Sequence, residues 1–211
     1  MKKPYVIVIA HQKGGVGKST IASNLAVELS KKYTTSVVDL DLQKSLSYFN
    51  SLRKKSNLAE FKIVNIATLE ELKSLINKNQ ELLLIDVGGF DSDMNRVAIL
   101  GADLIITPVS DSGIELIGLL SFRNVLREIR EHRKDLVAKI LLNKIHPSAS
   151  TSLDEIHNFI NDNVEFNKLD SILRDRVEYK RAFDTGKSVV EHGNNKAAIE
   201  INNLIKEITN G

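Results

Sequence analysis

The N-terminal part of the chain contains the feature that most restricts how it can fold. An apolar run at 5–10 leads into a loop at 11–20, which carries three glycines within four residues. Continuous apolar runs of this length are typical of strands buried in parallel sheets. Beyond the loop, Ile21, Leu25 and Leu29 recur at the spacing of one helical face. The sequence therefore predicts a strand, a glycine-rich turn and a helix, in that order.

This order of elements predicts a phosphate-binding loop. The backbone N–H groups of such a turn, and the N-terminus of the helix that follows it, form a cradle for anions. In that cradle Lys18 reaches the β- and γ-phosphates of a nucleotide, and the Ser19 hydroxyl binds Mg²⁺. The residues expected to bind the nucleotide are Gly14, Gly15, Val16, Gly17, Lys18, Ser19 and Thr20. The alternative is a chance Gly/Lys turn without a ligand.

The loop departs from the usual Walker pattern in two ways. Gln12 stands where that pattern has its first glycine, and Lys13 adds a second lysine at the front of the loop. The sequence of residues 13–19 resembles the deviant Walker A motif of the ParA/MinD family of ATPases. In that family the front lysine reaches across a dimer interface to the other subunit's nucleotide. The resemblance therefore implies this catalytic role for Lys13.

The resemblance also carries expectations for the whole chain. It implies an α/β fold of the P-loop (SIMIBI, ParA-like) type, with a doubly wound, mostly parallel sheet and helices on both faces, in a single domain over residues 1–211. It implies ATP and Mg²⁺ as ligands, a weak ATPase activity that a partner protein stimulates, and a homodimer that forms with ATP. The length of 211 residues and the 42% apolar content suit one such domain.

Acidic residues follow a second apolar run. Asp39 and Asp41 lie at the end of the run 36–40, and ligands bind at the carboxyl ends of strands in doubly wound sheets. Two carboxylates two residues apart on a strand point to the same side, where they can bind Mg²⁺ through water. The segment is similar to the D-x-D-P-Q switch I of the family, with Leu42 in place of the proline. The similarity implies that Asp41 positions the attacking water and that Asp39 supports the metal. The alternative is a strand end with solvated acids.

Two later strand ends complete the predicted site. The apolar run at 82–85 ends in Asp86, which matches the Walker B arrangement of a carboxylate beside Mg²⁺. The double glycine at 88–89 occupies the switch II position and predicts either a segment that responds to the γ-phosphate or a structural turn. At the end of the predicted strand 136–143, Asn143 carries an amide that both donates and accepts, which suits adenine. The alternative for Asn143 is a simple strand cap.

A basic segment near the C-terminus is the candidate DNA surface. Residues 168–187 contain six basic and four acidic side chains, and residues 186–189 resemble a C-terminal segment of partition ATPases. The candidate contacts to duplex DNA are Arg174, Arg176, Lys180, Arg181 and Lys187. Such contacts would follow backbone phosphates and be independent of base sequence. The alternative is an ordinary mixed surface.

Composition excludes several classes of site. The chain has no cysteine, so disulfides, cysteine-ligated zinc and iron–sulfur clusters are impossible. The net charge of +2 does not by itself indicate a nucleic-acid binder, so any basic surface must be local. The five histidines show no metal-ligand spacing, and we expect them at the surface.

Membrane attachment is not expected from the sequence. No apolar stretch approaches the ~18 residues that a membrane span requires, and the N-terminal run is shorter than the about 7–15 apolar residues of a secretion signal. The pattern at 197–208 favours a helix packed on the core over a membrane anchor, because its lysines are balanced by glutamates. We therefore expect a cytoplasmic protein, and the resemblance implies association with the nucleoid.

The main hypothesis is a ParA-type ATPase that segregates plasmid or chromosomal DNA. Its ATP-bound dimer would coat nonspecific double-stranded DNA, and a ParB-like centromere-binding protein would stimulate hydrolysis. Two alternatives stay open. One is a MinD-like ATPase that positions a division site or a protein cargo, and the other is a metabolic P-loop ligase or kinase that uses the same cradle.

Overall fold

The computed structural model describes residues 5–112, 115–146 and 151–210. Within these ranges one sheet contains seven strands: β1 Tyr5–Ile9, β2 Thr35–Asp39, β3 Lys62–Ile63, β4 Leu82–Asp86, β5 Leu104–Val109, β6 Ala138–Ile145 and β7 Phe166–Arg174. The strand order is β3-β2-β4-β1-β5-β6-β7, and every pairing is parallel. The predicted α/β fold with a mostly parallel sheet is confirmed.

Helices join the strands and cover both faces of the sheet. Their bounds are α1 Lys18–Ser30, α2 Ser45–Lys55, α3 Leu69–Lys78, α4 Asp93–Leu100, α5 Glu115–Arg130, α6 Thr151–Asn161, α7 Val177–Asp184 and α8 Lys196–Asn210. One apolar layer joins the sheet to α3, α4, α5 and α6, and a second layer joins it to α1, α2, α7 and α8. Strand β1 contributes Val6 and Val8 to the first layer and Ile7 and Ile9 to the second, because successive side chains point to opposite faces.

The carboxyl ends of the central strands position the site. Ile9 of β1 and Asp39 of β2 both pair with Asp86 of β4, so the three strands end level with one another. The chain also passes from β4 to β5 on the other side of β1. Ligands of doubly wound sheets bind at such a reversal of strand order, outside the carboxyl ends of the strands.

The C-terminal helix α8 packs against the second apolar layer. Its buried side chains are Ala197, Ala198, Ile201, Leu204, Ile205 and Ile208. This agrees with the predicted core-packed helix. Among the described residues, no helix combines the length and the apolar character needed to cross a membrane.

The structure differs from the sequence-based expectation at both edges of the sheet. The predicted strand at 61–66 has only two residues in the ladder, β3. Strand β7 was not predicted, because its buried residues Phe166, Leu169 and Leu173 do not alternate with exposed ones. Register irregularities in the pairing of β6 with β7 account for this, since they break the two-residue period on which strand prediction depends.

Candidate nucleotide-binding site

The loop between β1 and α1 requires glycine at two positions. Gly15 and Gly17 have φ angles of 78° and 95°, a region that residues with a Cβ rarely adopt. A Cβ on Gly17 would also lie 2.4 Å from Nδ2 of Asn143. Helix α1 begins at Lys18, directly after Gly17, so its N-terminal N–H groups and the loop backbone lie at the same cavity.

The end of strand β6 braces the back of this loop. Asn143 Nδ2 donates to the carbonyl of Val16 at 2.7 Å, and Lys144 Nζ donates to the carbonyl of Gly15 at 2.7 Å. Asn143 is buried, and its amide contacts the loop itself. Adenine recognition by Asn143 stays a prediction, whereas its contact with the loop is a feature of the fold.

The Lys18 side chain folds back over the loop. Its Nζ donates to the carbonyl of Lys13 at 3.0 Å, and the residue is buried. Burial lowers the pKa of Lys18, while the charges of Asp86 and Asp41 raise it. A nucleotide phosphate would supply the counter-charge that burial makes favourable, so the position suits a phosphate-binding lysine.

Three buried carboxylate oxygens of Asp39 and Asp86 accept no hydrogen bond of standard geometry. Asp39 Oδ2 accepts the N–H groups of Leu46 and Ser47 at 3.1 Å each and so caps α2, but Asp39 Oδ1 and both oxygens of Asp86 accept no bond of standard geometry. Burial raises the pKa of Asp86 to about 7, the nearby Ser19 hydroxyl lowers it, and the charge of Asp39 raises it further. Buried, unpaired carboxylate oxygens are costly unless a cation neutralises them.

These oxygens fit Mg²⁺ as it binds beside nucleotides. Within the described part of the chain, no cluster of three His, Cys, Asp or Glu side chains could hold a metal by itself. Mg²⁺ keeps several waters and is commonly bound through one or two carboxylates together with phosphate oxygens. Ser19 and Asp86, with Asp39 beside them, offer the protein part of such a shell.

Asp41 lies on the wall of the cavity in front of the loop. Its Oδ1 accepts the N–H of Gln43 at 3.0 Å, which fixes the turn after β2. Lys44 takes a left-handed conformation with φ 49°, and its Nζ donates to the carbonyl of Asp39 at 2.6 Å. Leu42, which replaces the proline of the family segment, is 80% exposed. The turn therefore places the Asp41 carboxylate at the cavity, and its role in positioning a water stays a prediction.

The double glycine packs directly against the front of the loop. A Cβ on Gly89 would lie 2.9 Å from the nitrogen of Gly14 and 3.0 Å from the carbonyl carbon of Lys13. A Cβ on Gly88 would lie 2.5 Å from the Phe90 ring. The segment that follows β4 therefore contacts the phosphate loop backbone to backbone, and only glycine permits that approach.

Two adjoining cavities form an elongated site. The first, about 530 Å³, contains the loop glycines, Lys18, Asp41 and Gly89. The second, about 450 Å³, extends along Asn143 to Tyr179 of α7. The residues common to both are Gly17, Ser19, Thr20, Ser45 and Lys144. Each volume is within the about 300–1,000 Å³ of small-molecule sites, and the arrangement leaves one end for phosphates and another for a base.

The basic residues predicted to bind DNA divide into two groups. Arg174, Arg176 and Lys180 line the second cavity, and Arg176 forms an ion pair with Glu200 of α8 at 2.8 Å. The hydrogen bond to Glu200 raises the pKa of Arg176, and the pair leaves its charge compensated. Arg181 is exposed and Lys187 is half-buried. The five candidates, of which Lys180 is exposed as well, therefore differ in exposure and in charge pairing.

His11 is buried, so the expected surface position was wrong for this histidine. Its side chain is 1% exposed, and its ring stacks on Phe122 of α5 at 6.4 Å between centroids. One signal in the sequence could have indicated this: His11 lies directly between a buried strand and the phosphate loop, where polar side chains contact the loop.

Comparison with known proteins places this site in a family. The model of the CobQ/CobB/MinD/ParA nucleotide binding domain matches residues 7–189. The chain is 24% identical to the "Maintenance of carboxysome distribution protein A" of Halothiobacillus neapolitanus, over 98% of this chain and 97% of that protein. It is 26% identical to the "Protein ParA" of Rhizobium radiobacter, over 92% and 91% of the two chains.

A solved structure shows the same fold. The septum site-determining protein MinD of Pyrococcus horikoshii, complexed with Mg-ADP, superposes with a TM-score of 0.72 at 18% identity, over 97% of this chain and 96% of that chain. The family match covers the phosphate loop, the segments 39–43 and 86–90, and most of the remaining sheet. The chain therefore belongs to the CobQ/CobB/MinD/ParA family of nucleotide-binding domains.

Proposed function

We propose that the protein is a ParA-type ATPase that segregates DNA through an ATP-dependent sandwich dimer. The observation that carries the proposal is a second lysine, Lys13, at the open front of a complete phosphate loop. Lys13 lies on a groove with Phe90 and Ile117, which are 41% and 65% exposed. Exposed apolar side chains grouped beside a ligand site are typical of a surface that another protein covers.

The roles of the site residues follow from their positions. Lys18 and the N–H groups of residues 14–20 bind the phosphates of ATP, and Lys13 binds those of the second subunit. Ser19 and Asp86, with Asp39 in support, would hold Mg²⁺, which when bound would supply charge neutralisation to the β- and γ-phosphates. Asp41 orients the attacking water from the cavity wall. Replacing Asp41 therefore stops turnover while nucleotide binding remains.

The contact of Gly89 with the loop supports a switch driven by the γ-phosphate. The backbone of this segment touches Gly14 and Lys13, so a phosphate bound at the loop changes the surroundings of both. After hydrolysis the γ-phosphate no longer holds the two subunits together, and the population shifts away from the dimer. A ParB-like partner that stimulates hydrolysis would thereby release the protein from DNA.

For DNA, we infer a surface that differs from the one the sequence indicated and includes the end of a second helix. Arg181 of α7 is exposed, and so are Lys54 and Lys55 at the end of α2. The two helix ends are connected, because Ser56 Oγ donates to the carbonyl of Thr185 at 3.2 Å. We assign the phosphate contacts to Lys54, Lys55 and Arg181, which a dimer would present twice.

A second function, positioning of a protein cargo, has one observation in its favour. The relative named for carboxysome distribution matches this chain over nearly its whole length. The two functions share the proposed ATP-dependent dimer. They differ in the partner protein that triggers release, which a search for stimulation of ATP hydrolysis by candidate partners would identify.

Duplex-DNA binding in three nucleotide states tests the proposal. The protein should bind a mixed-sequence duplex with ATP and Mg²⁺, but not with ADP or without nucleotide. The affinity should fall with salt at a log–log slope of about 0.9 per phosphate neutralised. Equal binding in all three states would contradict a nucleotide-gated DNA binder. Rapid ATP turnover that appears only with a small-molecule acceptor would indicate the metabolic alternative.

A further inference from the structure

His11 lies between the front of the phosphate loop and helix α5. Its ring is buried and stacks on Phe122 with 29° between the ring planes. One helical turn earlier, Gly118 faces the same ring, and a Cβ there would lie 2.6 Å from His11 Cε1. The imidazole is therefore fixed in place by packing on the helix side.

The imidazole accepts a hydrogen bond from the backbone of Lys13. The Lys13 N–H donates to His11 Nδ1 at 2.9 Å. An accepting Nδ1 carries no proton, so the ring is neutral and its proton is on Nε2. Burial lowers the pKa of His11 to about 3, and the charges of Lys18 and Lys13 lower it as well. The bond therefore persists through the physiological range of pH.

The other side of Lys13 is also constrained. Its carbonyl accepts from Lys18 Nζ at 3.0 Å, and its carbonyl carbon lies against Gly89. The N–H and C=O groups of one residue are thus bonded to a buried ring and to the phosphate-binding lysine. Because both backbone groups are bonded, the Cα of Lys13 is fixed, and this reduces the entropy cost when the Lys13 side chain binds a ligand.

We propose that His11 is a positioning residue, which orients Lys13 for contact with the nucleotide of a second subunit. The proposal rests on the proposed function, because it requires the dimer in which Lys13 makes that contact. His11 itself does not touch the nucleotide. It acts through one backbone hydrogen bond, and α5 supplies the surface on which its ring is held.

Two substitutions of equal size separate the hydrogen bond from the packing. In His11→Asn, Oδ1 takes the position of Nδ1 and accepts from Lys13. In His11→Leu, a methyl group occupies that position and accepts nothing. We expect His11→Leu to weaken the ATP-dependent dimer by roughly 10–100-fold, since the two less firmly held Lys13 residues then have to be ordered when the dimer forms, and His11→Asn to stay within about threefold of the wild type.

Both His11 variants are made in the Asp41→Asn protein, in which hydrolysis is blocked. Their dimerisation is measured by sedimentation velocity with ATP and Mg²⁺, and their ATP affinity is measured in parallel. Hydrogen exchange of the Lys13 amide in nucleotide-free protein gives a local readout, and it should be fast only in His11→Leu. The proposal is overturned if His11→Leu dimerises as the wild type does, if His11→Asn is equally defective, or if ATP affinity falls as much as dimerisation.

Lys13→Ala separates failure of this proposal from failure of the proposed function. If Lys13→Ala protein is monomeric while His11→Leu protein dimerises normally, the positioning role alone is refuted. If Lys13→Ala protein dimerises as tightly as the wild type, the proposed function is refuted together with the role of His11. A defect shared by Lys13→Ala and His11→Leu, and absent in His11→Asn, supports both.

Discussion

The phosphate loop at 11–20 and the basic segment at 168–187 are both recognisable in the sequence by their charged residues, but these residues have different surroundings in the structure. In the loop, Lys18 and Ser19 lie where the spacing predicts, beside Asp86 and at the N-terminus of a helix. In the basic segment, Arg176 is paired with Glu200, which comes from a different helix.

The difference shows for which charged residues the role can be predicted from neighbouring sequence alone. A phosphate loop needs only its own backbone, one strand and one helix, so seven adjacent residues specify its geometry. The exposure and pairing of a surface arginine depend on residues distant in sequence, which the local composition does not reveal. Substitutions in each region test whether the loop and the basic segment differ in this way.

The largest expected effect lies at Arg53, which connects the basic segment to the rest of the fold. Arg53 is 2% exposed. Its guanidinium bonds are to the Glu191 carboxylate at 2.7 and 3.1 Å, the Gly186 carbonyl at 2.9 Å and the Ala59 carbonyl at 2.7 Å. Arg53→Leu removes the donor to the Gly186 and Ala59 carbonyls and the main counter-charge of Glu191, which keeps the Ser188 N–H and Lys31 as partners. It should lower the free energy of unfolding by about 3 kcal/mol, measured by urea denaturation.

The matched control for Arg53→Leu is Arg181→Leu, which removes an exposed arginine of the same segment. It should change the free energy of unfolding by no more than about 0.5 kcal/mol. Equal effects of the two substitutions would show that burial and remote partners do not distinguish these arginines.

The next effect concerns nucleotide affinity at the loop. Lys18→Ala removes a charged hydrogen-bond donor to the phosphates. Such a bond contributes about 1.5–3 kcal/mol, so the dissociation constant for ATP should rise roughly 10–100-fold. Titration calorimetry measures it directly. Lys32→Ala, at an exposed position beyond the end of α1, should bind ATP as the wild type does. An unchanged affinity in Lys18→Ala would remove Lys18 from the phosphate site.

A smaller effect is expected in the pH dependence of stability. Burial lowers the pKa of His11 from 6.5 to about 3, so between these values the unfolded chain binds a proton that the folded chain does not. The free energy of unfolding therefore falls as the pH drops below 6.5, by up to about 1.4 kcal/mol per pH unit.

His11→Asn lacks this titration, whereas the raised pKa of Asp86 is common to both proteins and cancels in the comparison. The wild type should lose stability relative to His11→Asn between about pH 7 and pH 5, as measured by urea denaturation. Parallel curves for the two proteins would mean that His11 becomes protonated in the folded state without cost.

The smallest effect distinguishes the two groups of arginines in DNA binding. At saturating ATP, Arg181→Ala should lower the salt slope by about 0.9 for each phosphate that the arginine neutralises, whereas Arg176→Ala should leave it unchanged because Glu200 already compensates Arg176. Fluorescence anisotropy with labelled duplex at several salt concentrations provides both slopes. Equal decreases for the two substitutions would restore the uniform basic surface that the sequence indicated, and a decrease for Arg176→Ala alone would contradict the assignment of Arg181.

Much of the central fold could be predicted from the sequence. The apolar runs predicted strands β1 and β4 to within a residue. Both strands are buried on two faces, so a continuous apolar run is enough to identify them. Parallel strands end at one edge of a sheet, so the acids at the ends of β2 and β4 were expected to lie near the loop, and the charge of Asp86 does act on Lys18. These inferences required only local sequence and the geometry of a parallel sheet.

The rest depends on contacts that local sequence does not encode. The pairing of Arg53 with Glu191 spans 138 residues, and the brace of Asn143 on Val16 spans 127. The approach of α5 to the His11 ring at Gly118 joins residues that are distant in sequence. Strand β7 was missed because irregular register removed its alternation.

The most direct test of the central claim is the mass of the ATP-loaded protein when hydrolysis is blocked. Asp41→Asn protein, which keeps the acceptor for the Gln43 N–H, should sediment as a dimer with ATP and Mg²⁺ and as a monomer with ADP. Adding Lys13→Ala to the same protein should return it to a monomer that still binds ATP. A strictly monomeric ATP-bound protein at high concentration and with duplex DNA present would contradict the claim, and so would a dimer that persists without Lys13.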